Sequence, residues 1–214
     1  MRDVKSPAGS LRAEQAAVTR RRIVDAALTL FASKGYAATT LREIATEAGV
    51  AVQTVYAVFG SKASILRVLR EGLRNDPAAA ASFGAALDEP DASEALGHFA
   101  HSIRLRWETG QAVVAVHADA ASADPSIRDE VEAVLGARRS GIATLARSLA
   151  RHHPALDPVR TAAVIDALTL PEVYAELVRI HLWSTDAYEA WLATALRRSV
   201  LDADATATND DRRR

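Results

Sequence analysis

The stretch TTLREIATEAGVAVQTVYAVFGSK, residues Thr39–Lys62, decides the fold because it predicts two short helices joined by a tight turn. In its first half, apolar residues recur at helical spacing, and the threonine at position 39 or 40 can cap the first turn. Gly49 can take the left-handed conformation that ends a helix. A second apolar helical pattern then runs to Phe59, where Gly60 interrupts it. Two such helices form a helix-turn-helix, whose second helix can enter the major groove of DNA.

The same stretch contains two short motifs, T-x-x-x-I-A-x-x-A-G-V and T-x-Y-x-x-F-x-x-K. With them it resembles the DNA-binding signature of the tetracycline-repressor (TetR) family of bacterial transcription regulators. Two departures from that signature are Ala51, where the family commonly has a serine or a similar cap, and Ala57, where it has histidine or tyrosine. Each removes a possible phosphate contact. The matching residues are Thr40, Ile44, Ala45, Ala48, Gly49, Val50, Thr54, Tyr56, Phe59 and Lys62.

The resemblance and the helical patterns together predict an all-α protein. A three-helix helix-turn-helix domain is expected at the N-terminus and a helical bundle that binds an effector and forms a dimer at the C-terminus. Proline, glycine and polar residues without periodicity predict a flexible arm first and a disordered tail last. Within the bundle, Pro171 should kink or break a helix. The predicted divisions are 1–18 for the arm, 19–74 for the DNA-binding domain, 75–201 for the bundle and 202–214 for the tail.

Charge is distributed unevenly along the chain of 214 residues, although the net charge is only −1. Residues 1–74 contain 12 Lys and Arg against 6 Asp and Glu, whereas the remaining residues contain 14 against 21. A basic module attached to an acidic one suits a protein that binds a polyanion, although clustering by chance is the alternative. There is no cysteine, which excludes disulfides and thiolate sites. No membrane span or signal peptide is evident, so we expect a cytoplasmic protein.

The second helix of the motif supplies most of the predicted DNA-binding residues. The Gln53 amide can pair with adenine, and Val52 can contact a thymine methyl group. The ammonium of Lys62 and the free N–H groups of the helix after Ser61 can converge on one phosphate. The resemblance implies phosphate contacts for Thr54 and Tyr56. Alternatives remain for Gln53, as an exposed residue without a partner, and for Tyr56, as a packing residue. The predicted set is Thr40, Val52, Gln53, Thr54, Tyr56 and Lys62.

A small-molecule effector is predicted from the size and apolar content of the bundle and not from a motif. Large residues on the inward faces of its middle helices are candidates for the pocket, and ordinary core packing is the alternative for each of them. The candidate pocket residues are Phe83, Phe99, Ile103, Trp107, Val113, His117, Leu145, Leu168 and Tyr174.

Broad apolar faces near the C-terminus predict a homodimer, because the resemblance implies that two such helices pair with their mates across a twofold axis. The alternative is that these faces close the core of one protomer. Twofold symmetry would place two recognition helices about 34–36 Å apart, to meet successive major grooves of a near-palindromic operator. The candidate interface residues are Val173, Leu177, Tyr188, Trp191, Leu192 and Leu196.

Other classes of protein are less well supported by the sequence. Glu94, His98 and His101 share one helical face with a spacing that can ligate a metal, but no fourth ligand is evident, and a solvent-facing or hydrogen-bonded set is the alternative. The sequence has no nucleophile elbow, phosphate loop or di-iron pattern, so we predict no catalytic residue and no cofactor. A metal-binding enzyme, a helical adaptor and a regulator that activates remain alternatives to a repressor that an effector releases from DNA.

Overall fold

The computed structural model describes residues 7–202, and its first helix, α1, spans Pro7–Lys34. The prediction of a flexible arm as far as residue 18 was wrong for residues 7–18, which are helical. The reason is local, since proline suits the first position of a helix and the run LRAEQAA consists mostly of strong helix formers. Residues 1–6 of the predicted arm and residues 203–214 of the predicted tail lie outside the described residues.

Three short helices follow α1, namely α2 (Leu41–Ala48), α3 (Val52–Phe59) and α4 (Lys62–Arg74). The first two confirm the predicted helix-turn-helix. Gly49 ends α2 in the left-handed conformation, with φ of 64°. The amide of Val50 then donates to the Ala45 carbonyl at 2.9 Å, which satisfies a carbonyl group of the last turn of α2. The sharp turn between α2 and α3 therefore depends on backbone geometry that glycine adopts without strain.

The rest of the described chain is also helical. No strand occurs between residues 7 and 202, which confirms the all-α fold class. Within the same range, none of the helices combines the length and apolar character needed to cross a bilayer. The elements are α5 (Pro77–Asp88), α6 (Ala92–Ala123), α7 (Pro125–His152), α8 (Pro158–Leu168), α9 (Pro171–Tyr174) and α10 (Thr185–Arg197), with π-helical segments at Ala175–Ile180 and Arg198–Asp202.

A glycine and a proline affect two stretches of this helical chain differently. Helix α6 continues without a break through Thr109 and Gly110, because one glycine inside a long helix costs only about 1 kcal/mol relative to alanine. The predicted break at Pro171 is confirmed, since α8 ends at Leu168 and α9 begins at the proline. Proline has no amide hydrogen to donate to the preceding turn, so the break follows directly from its chemistry.

The chain divides into two compact units. Unit 1 comprises residues up to 74 together with 112–129, and unit 2 comprises 75–111 together with the residues from 130 onward. The long helix α6 therefore contributes its last part to unit 1, which the predicted domain limits did not anticipate. The core of unit 1 includes Ile23, Ala27, Phe31, Ile44, Val55, Ile65, Leu66, Ala120 and Ile127, and the core of unit 2 includes Leu96, Phe99, Leu145, Ile165, Tyr188, Leu192 and Leu196.

Candidate nucleic-acid interface

Helix α3 has one buried and one exposed face. Val55 has no exposed surface and Phe59 retains 8%, so these two side chains anchor the helix in unit 1. On the opposite face, Gln53 is exposed and Tyr56 is 57% exposed. The predicted DNA contacts Val52 and Thr54 are half-buried. Because the helix is anchored and the Gln53 amide and Tyr56 phenol are exposed to solvent, these two groups are suited to reach base edges and phosphates.

The two helices of the motif begin differently. Thr40 caps α2 in a capping box: the amide of Glu43 donates to the Thr40 hydroxyl oxygen at 3.2 Å, and the amide of Thr40 donates to the Glu43 carboxylate at 2.8 Å. Helix α3 begins at Val52, and the preceding N-cap residue, Ala51, makes no side-chain cap. The missing cap expected from Ala51 is therefore confirmed. The hydroxyl of Thr40 is engaged within the fold, and its contact with DNA stays a prediction.

The capping carboxylate of Glu43 also forms an ion pair with Lys34, the last residue of α1. The hydrogen bond from Lys34 is the largest of the causes that lower the pKa of Glu43 from 4.5 to about 2, and the hydrogen bonds with Thr40 add to it. Glu43 is consequently ionised at any physiological pH, and its charge joins the end of α1 to the start of α2.

Lys62 plays a structural part that the sequence did not reveal. Its ammonium donates to the Tyr36 carbonyl at 2.6 Å and to the Ala37 carbonyl at 3.3 Å, and it lies 4.5 Å from the centroid of the Tyr36 ring. Burial lowers the pKa of this ammonium, and the negative charge of Glu43 opposes that shift. Lys62 therefore joins the start of α4 to the loop between α1 and α2. Its predicted phosphate contact stays a prediction, now with competing partners.

The same loop is held by a residue from a distant part of the chain. The Tyr36 amide donates to the carboxylate of Asp119 at 2.7 Å, and both residues belong to unit 1. Gly35 precedes this amide with φ of 89°, a conformation that favours glycine. The sequence does not indicate that Tyr36 and Asp119 meet, and its one local signal is a glycine followed by an aromatic residue at the end of α1.

Arginines of α1 lie against the helix-turn-helix. The guanidinium carbon of Arg20 lies 4.6 Å from the centroid of the Phe59 ring at the end of α3. A Cβ atom at Gly49 would lie 2.6 Å from a guanidinium nitrogen of Arg22, so the end of this arginine side chain lies directly against the turn. Both arginines are exposed. They place positive charge beside the motif, where a nucleic-acid backbone would pass.

The candidate effector residues are distributed over both units. Val113 and His117 are buried in unit 1, where a ring nitrogen of His117 lies 2.8 Å from the Val113 carbonyl. The other seven belong to unit 2, where Phe83 and Leu168 are half-buried. Their contact with an effector stays a prediction. The remaining buried members are Phe99, Ile103, Trp107, Leu145 and Tyr174.

The candidate dimer residues fall into two groups. Three of them have no exposed surface in the protomer, so their side chains cannot contact a second chain: Tyr188, Leu192 and Leu196. For these three, the burial supports the alternative that they close the core of the protomer. The half-buried group is Val173, Leu177 and Trp191.

Glu94, His98 and His101 line a cavity of about 560 Å³ in unit 2. His101 is hydrogen-bonded within it, since its Nδ1 lies 3.0 Å from each carboxylate oxygen of Glu189. The same carboxylate lies 2.7 Å from Nε of Arg104. Among residues 7–202, no group of three His, Asp or Glu side chains is arranged to hold a metal ion. The histidines thus belong to a charged and hydrogen-bonded surface cluster.

A helix-turn-helix with an exposed second helix, on a basic N-terminal segment, defines a DNA-binding protein. Residues 23–69 match the family model described as bacterial regulatory proteins, tetR family. Solved structures of tetR-family regulators share the fold of almost the whole chain. The chain is thus similar to tetR-family regulators in sequence over residues 23–69 and in fold over most of its length.

Three solved structures illustrate the likeness. A putative TetR-family regulator from Mesorhizobium loti is 22% identical, with a TM-score of 0.65 over 86% of this chain and 96% of that one. NalD from Pseudomonas aeruginosa, the secondary repressor of the MexAB-OprM multidrug efflux pump, is 22% identical, with a TM-score of 0.66 over 87% and 98%. FadR from Bacillus subtilis, in complex with stearoyl-CoA, is 18% identical, with a TM-score of 0.66 over 85% and 97%. No curated protein matches the sequence.

Proposed function

We propose that this protein is a homodimeric transcription repressor that binds a near-palindromic operator through α3 and leaves it when a small, largely apolar effector binds unit 2. The observation that carries the proposal is the division of α3, which anchors Val55 and Phe59 and leaves Gln53 and Tyr56 in solvent. Arg20 and Arg22 add positive charge beside the helix. A protein that acts on chromosomal DNA would work in the cytoplasm.

Selection of bound duplexes from a random pool, followed by anisotropy titrations on the selected site, tests the DNA-binding half. If Gln53 reads a base, Gln53→Ala should relax the preference at one position of each half-site, at a cost of about 1–3 kcal/mol. The same change in unit 2, Gln111→Ala, is the matched control and should alter nothing. Equal weakening on all sequences would mean that Gln53 does not read a base. Absence of any selected sequence would overturn the DNA-binding half.

Release by an effector is supported by the named neighbours. NalD is described as a repressor of a drug efflux pump, FadR was solved with stearoyl-CoA, and a further neighbour, SmeT, was solved with triclosan. Thermodynamically, an effector releases the operator only if it binds the DNA-incompetent conformation more tightly than the competent one. A thermal-shift screen of apolar metabolites and drugs, followed by operator release with each ligand that binds, tests this. Ligands that bind without weakening the operator complex would contradict it.

Dimerisation is supported by apolar surface at the end of the π-helical segment Ala175–Ile180 and in the turn after it. Ile180 is 67% exposed, Leu182 is 82% exposed and Trp183 is 37% exposed, and Trp183 packs edge-on against Trp191. Leu182 also has φ of 56°, a costly conformation for leucine. An exposed, strained leucine among apolar neighbours suits a surface that a second copy covers.

Light scattering of a double variant, Ile180→Asp with Leu182→Asp, tests the dimer. The proposal expects a dimer for the original protein and a monomer for the variant, because two charges would be buried in the interface. Val18→Asp on α1, where Val18 is 60% exposed in unit 1, is the control and should remain dimeric. A dimeric double variant would place the interface elsewhere.

An operator reporter distinguishes a repressor from an activator. Expression that falls when the protein is absent would indicate an activator.

A further inference from the structure

Two polar groups in the interior of unit 2 have no hydrogen-bond partner among the described residues. One is the hydroxyl of Tyr188, a residue with no exposed surface, and the other is Nε of Arg138. Both are hydrogen-bond donors, and each has been removed from water. A buried donor without an acceptor is costly in a folded protein, so such groups usually mark a bound molecule or a functional site.

The guanidinium of Arg138 is held in a fixed orientation by the C-terminal end of α8. It forms an ion pair with Asp166, and Nη2 donates to the Asp166 carbonyl at 3.1 Å and to the Thr169 hydroxyl at 2.8 Å. The Asp166 carbonyl lies in the last turn of α8, where carbonyl groups lack partners within the helix. Trp107 satisfies the carbonyl of the C-cap residue, Thr169, by donating from Nε1 at 3.3 Å. Both terminal nitrogens of Arg138 are thus hydrogen-bonded, whereas its Nε–H group has no acceptor among the described residues.

Charges of both signs surround Arg138. Burial is the largest cause that lowers the pKa of Arg138, the positive charges of Arg139 and Arg106 lower it further, and the negative charge of Glu172 opposes them. Burial also lowers the pKa of Arg106, and the negative charge of Asp76 opposes that shift. The ion pair of Arg138 with Asp166 engages Nη1 and leaves Nε without an acceptor among the described residues. An acceptor brought by a ligand would therefore remove the cost of this buried donor.

Apolar and aromatic surface borders the two donors. The Tyr174 ring packs edge-on against the Tyr188 ring, with centroids 4.9 Å apart, and both residues are buried. Trp107 is also buried, and it contacts Thr169 through the hydrogen bond described above. Trp107 and Tyr174 are both candidate effector residues from the sequence. A ligand that satisfied the donors would consequently lie with its remaining atoms against aromatic rings.

From this arrangement we infer that unit 2 binds the carboxylate of an amphipathic organic acid, with the Tyr188 hydroxyl and the Arg138 Nε–H each donating to one carboxylate oxygen. A carboxylate offers acceptor oxygens and no donor, which matches two donors, and its hydrogen bond with a guanidinium is charge-assisted. A phosphate would bring more charge and more acceptor oxygens than these donors serve. The inference rests on the proposed function, because it names the chemical class of the effector that releases the operator.

Binding of sodium decanoate to the full-length protein, measured by calorimetry without DNA, tests the inference, with methyl decanoate as the uncharged control. Decanoate should bind at least about tenfold more tightly than its ester, since a charge-assisted hydrogen bond contributes at least that factor. The variant Tyr188→Phe keeps the ring and removes only the hydroxyl, so it should weaken decanoate about tenfold and leave the ester unchanged. Thr194→Val, which removes an exposed hydroxyl of the same helix that donates to the Ala190 carbonyl, is the control and should bind both as the original protein does.

Stability of the unliganded variants gives a second, independent readout. Because the Tyr188 hydroxyl has no partner, Tyr188→Phe should unfold at the same or a higher temperature than the original protein. A lower unfolding temperature would mean that the hydroxyl already has a partner, such as an interior water, and would overturn the inference. Equal affinity for acid and ester, or no binding of decanoate at millimolar concentration, would also overturn it. Operator release by an uncharged ligand would then leave the proposed function intact.

Discussion

Replacement of Lys62 by alanine tests the helix-turn-helix in depth, because this side chain both holds the α1–α2 loop and was predicted to contact DNA. Its ammonium donates to the Tyr36 carbonyl at 2.6 Å and lies 4.5 Å from the centre of the Tyr36 ring. A hydrogen bond from a charged donor contributes about 1.5–3 kcal/mol, and a partly exposed cation over a ring about 0.5–1 kcal/mol. Burial of the charge, which lowers the pKa of Lys62, offsets part of this gain.

We therefore expect Lys62→Ala to lower the free energy of unfolding by about 2 kcal/mol, which lowers Tm by about 4–8 °C for a chain of this size. Urea unfolding followed by circular dichroism measures the first quantity and calorimetry the second. Lys62→Gln keeps a donor without the charge and should lose less stability than Lys62→Ala. A Lys62→Ala protein as stable as the original would refute the structural role of this residue.

The DNA contact of Lys62 is measured separately, at a temperature where every variant is folded. If Lys62 also neutralises a phosphate, the slope of log K against log salt should fall by about one in both Lys62→Ala and Lys62→Gln. If its hydrogen bonds to the loop are its whole role, both variants should keep the original slope while differing in stability. The salt dependence of DNA binding thus reports the phosphate contact of Lys62, and the free energy of unfolding reports its hydrogen bonds to the loop.

Three further predictions concern single positions. Gly49→Ala should destabilise the protein by about 1–2 kcal/mol in urea unfolding, because alanine is strained at φ of 64°. The pKa of Glu43 is lowered to about 2 in the folded state, so the stability that it contributes is fully present above about pH 4.5 and is lost as the pH falls from there toward 2. A Glu43→Gln protein should show a smaller loss over that interval in an acid titration followed by circular dichroism. Leu182→Gly should stabilise the protomer by about 0.5–1 kcal/mol, since it relieves φ of 56° at an exposed position, and it should weaken the proposed dimer in a dilution series followed by light scattering.

The sequence alone determined the helix-turn-helix, because its signals are local. Thr40 caps α2 through the residue three positions further on, Gly49 ends the same helix, and the missing cap at Ala51 is visible from its side chain. The break at Pro171 was equally predictable, since proline lacks an amide hydrogen. The start of α1 was misjudged because Pro7 can begin a helix as readily as it can mark an irregular arm.

Tertiary structure alone decided which polar groups meet. The Lys62 ammonium reaches a carbonyl 26 residues earlier in the chain, and Asp119 accepts from an amide 83 residues earlier. Likewise, a buried Tyr188 hydroxyl and a clamped Arg138 can be identified only after several helices have packed together. Helical periodicity tells which face of a helix turns inward, but not which side chain of another helix it will face there. The predicted dimer set mixed core and surface residues for the same reason, since Tyr188 and Trp191 follow one apolar pattern yet differ in burial.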